Sequence, residues 1–177
     1  TTMPENDPAV HKRIGVGSEE AIVEELKGEV VGAKILLESF KRGVLSRNEL
    51  GTQFFAKVGT LLGYLAKKSD VEGSDGEKYF FAGIAMLDAL LKGGGIVESK
   101  GSYVMRNAEL GLGALASIAD QFLAMYADDA TTPARIKTLG QKLREKKKSP
   151  AIKDFLDKLR MRSGGRPPLT ARPRHRL

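Results

Sequence analysis

Apolar residues recur at intervals of three and four through most of the chain, and this spacing restricts the fold more than any other sequence feature. The first stretch of this kind contains Ile22, Leu26, Val30, Ala33, Leu37 and Phe40. Because an α-helix turns once in about 3.6 residues, side chains with this spacing lie on one face of a helix. Similar stretches continue towards residue 161. We therefore predict an all-α fold, a compact bundle of about six helices.

Residues that typically begin and end helices separate the apolar stretches. Ser18 is a favourable N-cap, and Gly43 stands where the first helix should end. Ser46 and Ser74 each precede a glutamate by three residues, which is the spacing of a capping box. We therefore expect a second helix to about Lys68 and a third that ends at three consecutive glycines.

The fourth predicted helix, at about residues 103–126, is apolar on nearly every side. A helix of this kind is typical of the centre of a bundle, so we expect the other helices to surround it. Two shorter helices should follow, because Thr132 and Ser149 each precede a proline. Proline is favoured at the first position of a helix, and threonine or serine is favoured just before it.

Glycines stand four residues apart inside two predicted helices, as Gly28 with Gly32 and Gly59 with Gly63. Each glycine costs about 1 kcal/mol of helix propensity relative to alanine. Close helix–helix contact, within the chain or between two copies, would offset that cost. The alternative is that the helices simply tolerate these glycines.

The charges are divided unevenly along the chain. Residues 1–130 contain 14 Lys and Arg against 19 Asp and Glu, a formal net charge of −5. Residues 131–177 contain 15 Lys and Arg against 3 Asp and Glu, a net charge of +12. A local excess of this size favours an anionic partner. The predicted organisation is an extended N-terminal arm at 1–17, a helical body at 18–127, a basic helical segment at 128–162 and an Arg/Pro-rich tail at 163–177.

Nucleic acid is the anionic partner that we expect, because lysine and arginine bind phosphates and the release of counterions supplies affinity without reading sequence. The candidate phosphate-binding residues are Arg135, Lys137, Lys142, Arg144, Lys146, Lys147, Lys148, Lys153, Lys158, Arg160, Arg162, Arg166, Arg172, Arg174 and Arg176. Phe155 is the only aromatic residue after Tyr126, so base stacking is not expected. Either RNA or DNA would then bind with weak sequence preference.

The residue types that most catalytic and cofactor sites need are scarce. The chain has no cysteine, which excludes disulfides and thiolate ligands, and its two histidines, His11 and His175, lie in the predicted arm and tail. The glycine-rich stretch at 93–102 lacks the Gly-Lys-Ser/Thr order of a phosphate-binding loop, because Ser99 precedes Lys100. We therefore expect a non-enzymatic protein without a metal or another cofactor.

A helical body with an arginine-rich tail is similar in layout to some viral core and nucleocapsid proteins, although no motif is shared. The leading hypothesis is a structural, RNA- or DNA-binding protein with a packaging role, whose body packs and self-associates as a homo-oligomer. The alternative is a helical interaction module that docks an acidic protein partner. We expect no membrane insertion. The absence of cysteine fits a reducing compartment, the cytoplasm or nucleus, or the interior of a particle.

Overall fold

The structure is a computed structural model, and it describes residues 18–66, 76–128 and 131–163, with the side chains of the last range described to Met161. The helices are α1 (Ser18–Lys41), α2 (Arg47–Ala66), α3 (Glu77–Lys92), α4 (Ala108–Ala127), α5 (Pro133–Glu145) and α6 (Pro150–Ser163). Two short strands, β1 (Ile96–Ser99) and β2 (Ser102–Met105), pair antiparallel between α3 and α4. The described residues thus confirm the predicted compact, mostly helical fold. The predicted arm at 1–17 and the predicted tail at 163–177 lie outside them, except for Ser163, which ends α6.

The predicted starts of the second and fifth helices are confirmed. Ser46 and Glu49 form a reciprocal capping box: the Ser46 amide donates to the Glu49 carboxylate at 2.7 Å, and the Glu49 amide donates to Ser46 Oγ at 3.3 Å. Thr132 caps α5, and Pro133 occupies its first turn. The cap predicted at Ser74 lies outside the described residues, and Gly76 stands at the start of α3 without a side-chain cap.

The most deeply buried helix of the described chain is α3, which corrects the expectation that residues 103–126 form the centre. Every residue from Phe80 to Asp88 is buried. In α4, by contrast, Leu110 is 53% exposed and Leu123 is 47% exposed. The helix α1 packs against α3, α4 and α5. The all-round apolar composition of α4 therefore reflects an apolar surface as well as a core face.

The predicted start of the fourth helix is also corrected. Tyr103 belongs to β2, and α4 begins only at Ala108, where Asn107 caps it by accepting a hydrogen bond from the Leu110 amide at 3.0 Å. The turn of the hairpin contains Lys100 and Gly101, both at positive φ, which explains why the chain reverses there. By length and hydropathy (20 residues, mean hydropathy 1.3) α4 could cross a membrane. A single such helix is weak support for a span, because core helices of soluble proteins have the same properties.

Close packing at glycine occurs at positions other than the predicted pairs. A Cβ at Gly28, Gly59 or Gly63 would meet no atom within 4 Å. A Cβ at Gly140 of α5, however, would come within 2.5 Å of Glu19 Cβ and 2.6 Å of the Glu19 carbonyl oxygen on α1. This close approach seats α5 on the first turn of α1.

Candidate nucleic-acid interface

The basic helices α5 and α6 are held on the body by their apolar faces. Ile136 and Leu143 of α5 are buried, and so are Ile152, Phe155 and Leu156 of α6. Since these residues recur at helical spacing, the cations between them are turned towards the helix edges and the solvent. The three-residue 3₁₀ turn Lys146–Lys148 joins the two helices.

Arg144 and Lys146 are bound to buried carboxylates of α3. Gly140 brings α5 close to α1, and one turn later the Arg144 guanidinium donates to Glu77 and to Ser18 Oγ, the latter at 3.0 Å. Lys146 donates to Asp88, which also accepts from Lys92 at 3.0 Å. Burial alone would raise the pKa of Asp88, but the hydrogen bonds from Lys146 and Lys92 outweigh it and lower that pKa. The Asp88 carboxylate is therefore held in its charged form.

Lys158 of α6 is also paired with acids, although Glu98 and Asp154 are about half exposed. Its ammonium group donates to Glu98 of β1 at 2.9 Å and lies 2.7 Å from the Asp154 carboxylate, and these two acids raise the pKa of Lys158. Tyr103 donates to Asp154 at 2.7 Å, and burial together with that hydrogen bond raises the tyrosine pKa to about 12. This group ties α6 to the hairpin.

Four other candidates make weaker local contacts. Arg135 lies 2.8 Å from Asp128, Lys148 lies 2.6 Å from Glu145, and Arg160 lies 3.7 Å from Asp157. All three are pairs between neighbouring, largely exposed side chains, which contribute little to stability and exchange readily with another anion. Lys147 lies over the Phe80 ring, 5.5 Å from its centroid.

Lys137, Lys142 and Lys153 are exposed and form no ion pair with any residue that the structure describes. The first two lie on α5 and the third on α6. All three are exposed, but they belong to two different helices and do not form one cluster. The side chain of Arg162 and the whole of Arg166, Arg172, Arg174 and Arg176 lie outside the described part of the chain.

Sequence reasoning missed the acidic partners Glu77 and Asp88. The signal was present, because Asp88 is the one charged residue in the apolar run from Phe80 to Leu91. A lone carboxylate on an otherwise apolar helix is buried only with a cationic partner. No cluster of three or more acidic or histidine ligands suited to a metal ion occurs among the described residues.

No protein-family model, curated protein sequence or solved structure matches this chain.

Proposed function

We propose that the chain binds the phosphates of RNA or DNA, without catalysis, in a structural or packaging role. The observation that carries the proposal is the exposure of Lys137, Lys142 and Lys153, which have no ion pair among the described residues, within a region of net charge +12. Unpaired exposed lysines release counterions when they meet a polyanion, which supplies affinity without base readout. Arg166, Arg172, Arg174 and Arg176 are included in the proposed phosphate-binding set on the basis of the sequence alone.

Ion pairs with carboxylates of the body reduce the number of cations that are free to bind phosphate. Arg144, Lys146 and Lys158 are bound to Glu77, Asp88 and Glu98, respectively. Moving Arg144 or Lys158 to a phosphate would take a hydrogen-bonded cation away from Glu77 or Glu98, and moving Lys146 would leave Asp88 with Lys92 alone of these two cations. We therefore assign these three cations a structural role. Their substitution would weaken nucleic-acid binding by destabilising the fold and would not test the proposal.

The test is a salt titration of binding to several unrelated oligonucleotides, single- and double-stranded. The variant K137Q/K142Q/K153Q removes three exposed charges. Its log–log salt slope should be shallower by about two to three units, because each phosphate contact contributes about 0.7 to 0.9. The affinity should fall similarly for every sequence.

A matched control removes three exposed cations from the body, in the variant K41Q/R42Q/K100Q. It lowers the net charge equally and should leave the slope close to that of the parent chain. Equal slopes for the parent and both variants, or no binding at low salt, would contradict the proposal. Either result would favour the acidic protein partner instead.

A further inference from the structure

A groove of about 740 Å³ lies where α3, α4 and α5 meet on the body. Its volume falls in the range of about 300 to 1,000 Å³ that is typical of small-molecule sites. The groove is separate from the exposed Lys153 of α6, and it shares Arg135 and Lys142 with the proposed phosphate-binding set.

The floor of the groove is apolar. Leu26, Ala85, Phe122 and Leu143 are buried core residues whose outer atoms form it. Ile118, Met125 and Leu139 extend this surface, and all three are only partly buried. A ligand with a hydrocarbon chain would therefore remove apolar protein surface from water, which is worth about 25 cal/mol per Å².

The rim of the groove is cationic. Lys92, Arg135, Lys142 and Lys146 line it, and Asp88 is the only acidic residue among the lining side chains that the structure describes. Asp88 is already bound by Lys92 and Lys146. Lys142 has no ion pair with a described residue, so the rim keeps a net positive charge beside an apolar floor.

We propose that this groove binds a single-chain anionic amphiphile, a free long-chain fatty acid, with the chain on the floor and the carboxylate at Lys142. A neutral amphiphile would leave the rim charge without a partner, and a cationic one would be repelled by it. A peptide helix is a poorer fit, because ten helical residues with a diameter of about 10 Å occupy roughly 1,200 Å³.

A second groove in the same chain provides an internal control. It has a volume of about 560 Å³ and is lined by apolar residues of α2, the hairpin and α6, including Met105 and Met161. Among the residues that the structure describes, the one cation that lines it is Lys158, which is already bound by Glu98 and Asp154. This described lining is apolar without free positive charge, so the groove should not select an anion.

The experiment follows the methionine methyl signals of the full-length protein by NMR, because Met125 lines the first groove and Met105 and Met161 line the second. The signals are assigned with single Met→Leu variants. The probes are dodecanoate, dodecyltrimethylammonium with the same chain and the opposite charge, and butanoate with the same head group and a short chain. All are used below their micelle-forming concentrations.

Dodecanoate should shift the Met125 signal saturably and leave Met105 and Met161 in place, whereas the other two probes should bind much more weakly. The exposed substitution K142Q should weaken dodecanoate binding about two- to fivefold, in the range for a surface charge pair. T138W, at an exposed position that lines the groove, should abolish the shift by filling it. K153Q removes an equal charge away from the groove and should leave dodecanoate binding unchanged.

Equal shifts in both grooves, equal binding of the cationic probe, or unchanged binding by K142Q and T138W would each overturn the proposal. The parent fold is checked by circular dichroism in every variant. Because the oligonucleotide titration and this titration use different ligands, either proposal can fail without the other.

Discussion

The guanidinium of Arg144 on α5 donates a hydrogen bond to the carboxylate of Glu77 on α3, 67 positions earlier in the chain. Glu77 is only 3% exposed, and Glu19 of α1 lies 3.7 Å from Arg144 Nε. A charge that looks in the sequence like part of a polyanion-binding run thus joins three helices of the body. The basic helices are attached to the acidic body through ion pairs as well as through apolar burial.

Replacing Arg144 with alanine should destabilise the fold by about 3 to 5 kcal/mol, because it would remove a hydrogen-bonded cation from the buried Glu77 carboxylate. The free energy of unfolding is measured by urea titration. R160A removes an exposed arginine whose acidic partner, Asp157, lies 3.7 Å away. This variant should lower the free energy of unfolding by less than about 1 kcal/mol. The double variant E77L/R144M should be more stable than R144A, since it removes the buried Glu77 charge together with its cation. A loss in R144A no larger than in R160A would contradict this role.

Acid should weaken the contact between α3 and the turn Lys146–Lys148, because that contact depends on the Asp88 carboxylate. The pKa of Asp88 is lowered in the folded protein, so the folded state binds its proton less readily than the unfolded state. The stabilisation is therefore complete above the ordinary pKa of about 3.9 and is lost as the pH falls below it. Urea titrations at descending pH should show a shallower acid-dependent loss in D88N than in the parent chain. D157N, which removes an exposed carboxylate, should keep the parent dependence.

Two glycine substitutions should have opposite effects on stability. G140A would place a methyl group against the backbone and Cβ of Glu19, so it should destabilise the fold by roughly 1 to 3 kcal/mol. G51A meets open space inside α2 and should stabilise it by about 0.5 to 1 kcal/mol. Thermal unfolding of both variants against the parent gives the comparison. Equal effects at the two positions would contradict the close approach of α5 to α1.

The helices were predictable because their signals are local. The capping box at Ser46 and the proline start at Pro133 act within one turn, and both are found where the sequence places them. The central helix was not predictable, because composition does not say which apolar face meets another. The helix α4 is apolar on nearly every side, yet it exposes Leu110 and Leu123 to solvent. The helix α3 is instead covered by its neighbours.

For the candidate site, the sequence predicted the net positive charge of residues 131–177 but not which of its cations are exposed. Lys146 and Lys153 are equivalent in the sequence, as cations on the same basic stretch. The fold pairs Lys146 with Asp88 and leaves Lys153 exposed. That difference depends on contacts 58 positions apart, which no local pattern encodes.

Self-association is the remaining expectation, and we propose the exposed face of α2 that carries Phe55, Gly59 and Gly63 as its surface. Phe55 is 65% exposed and shares this helix face with the two glycines. A Cβ at Gly59 or Gly63 would meet no described atom within 4 Å, so close approach of a second copy would explain why these helix positions are glycine.

The variant F55E should then shift the protein towards the monomer, because it would place a charge in the contact between two copies. V44E is the matched control, since Val44 is also exposed but lies in the turn between α1 and α2. Sedimentation velocity over a range of concentrations, with and without an oligonucleotide, measures the effect. The proposed surface is wrong if the parent chain is monomeric at every concentration, or if both variants dissociate it equally. A dimer that persists in F55E would place the contact on another face of the body.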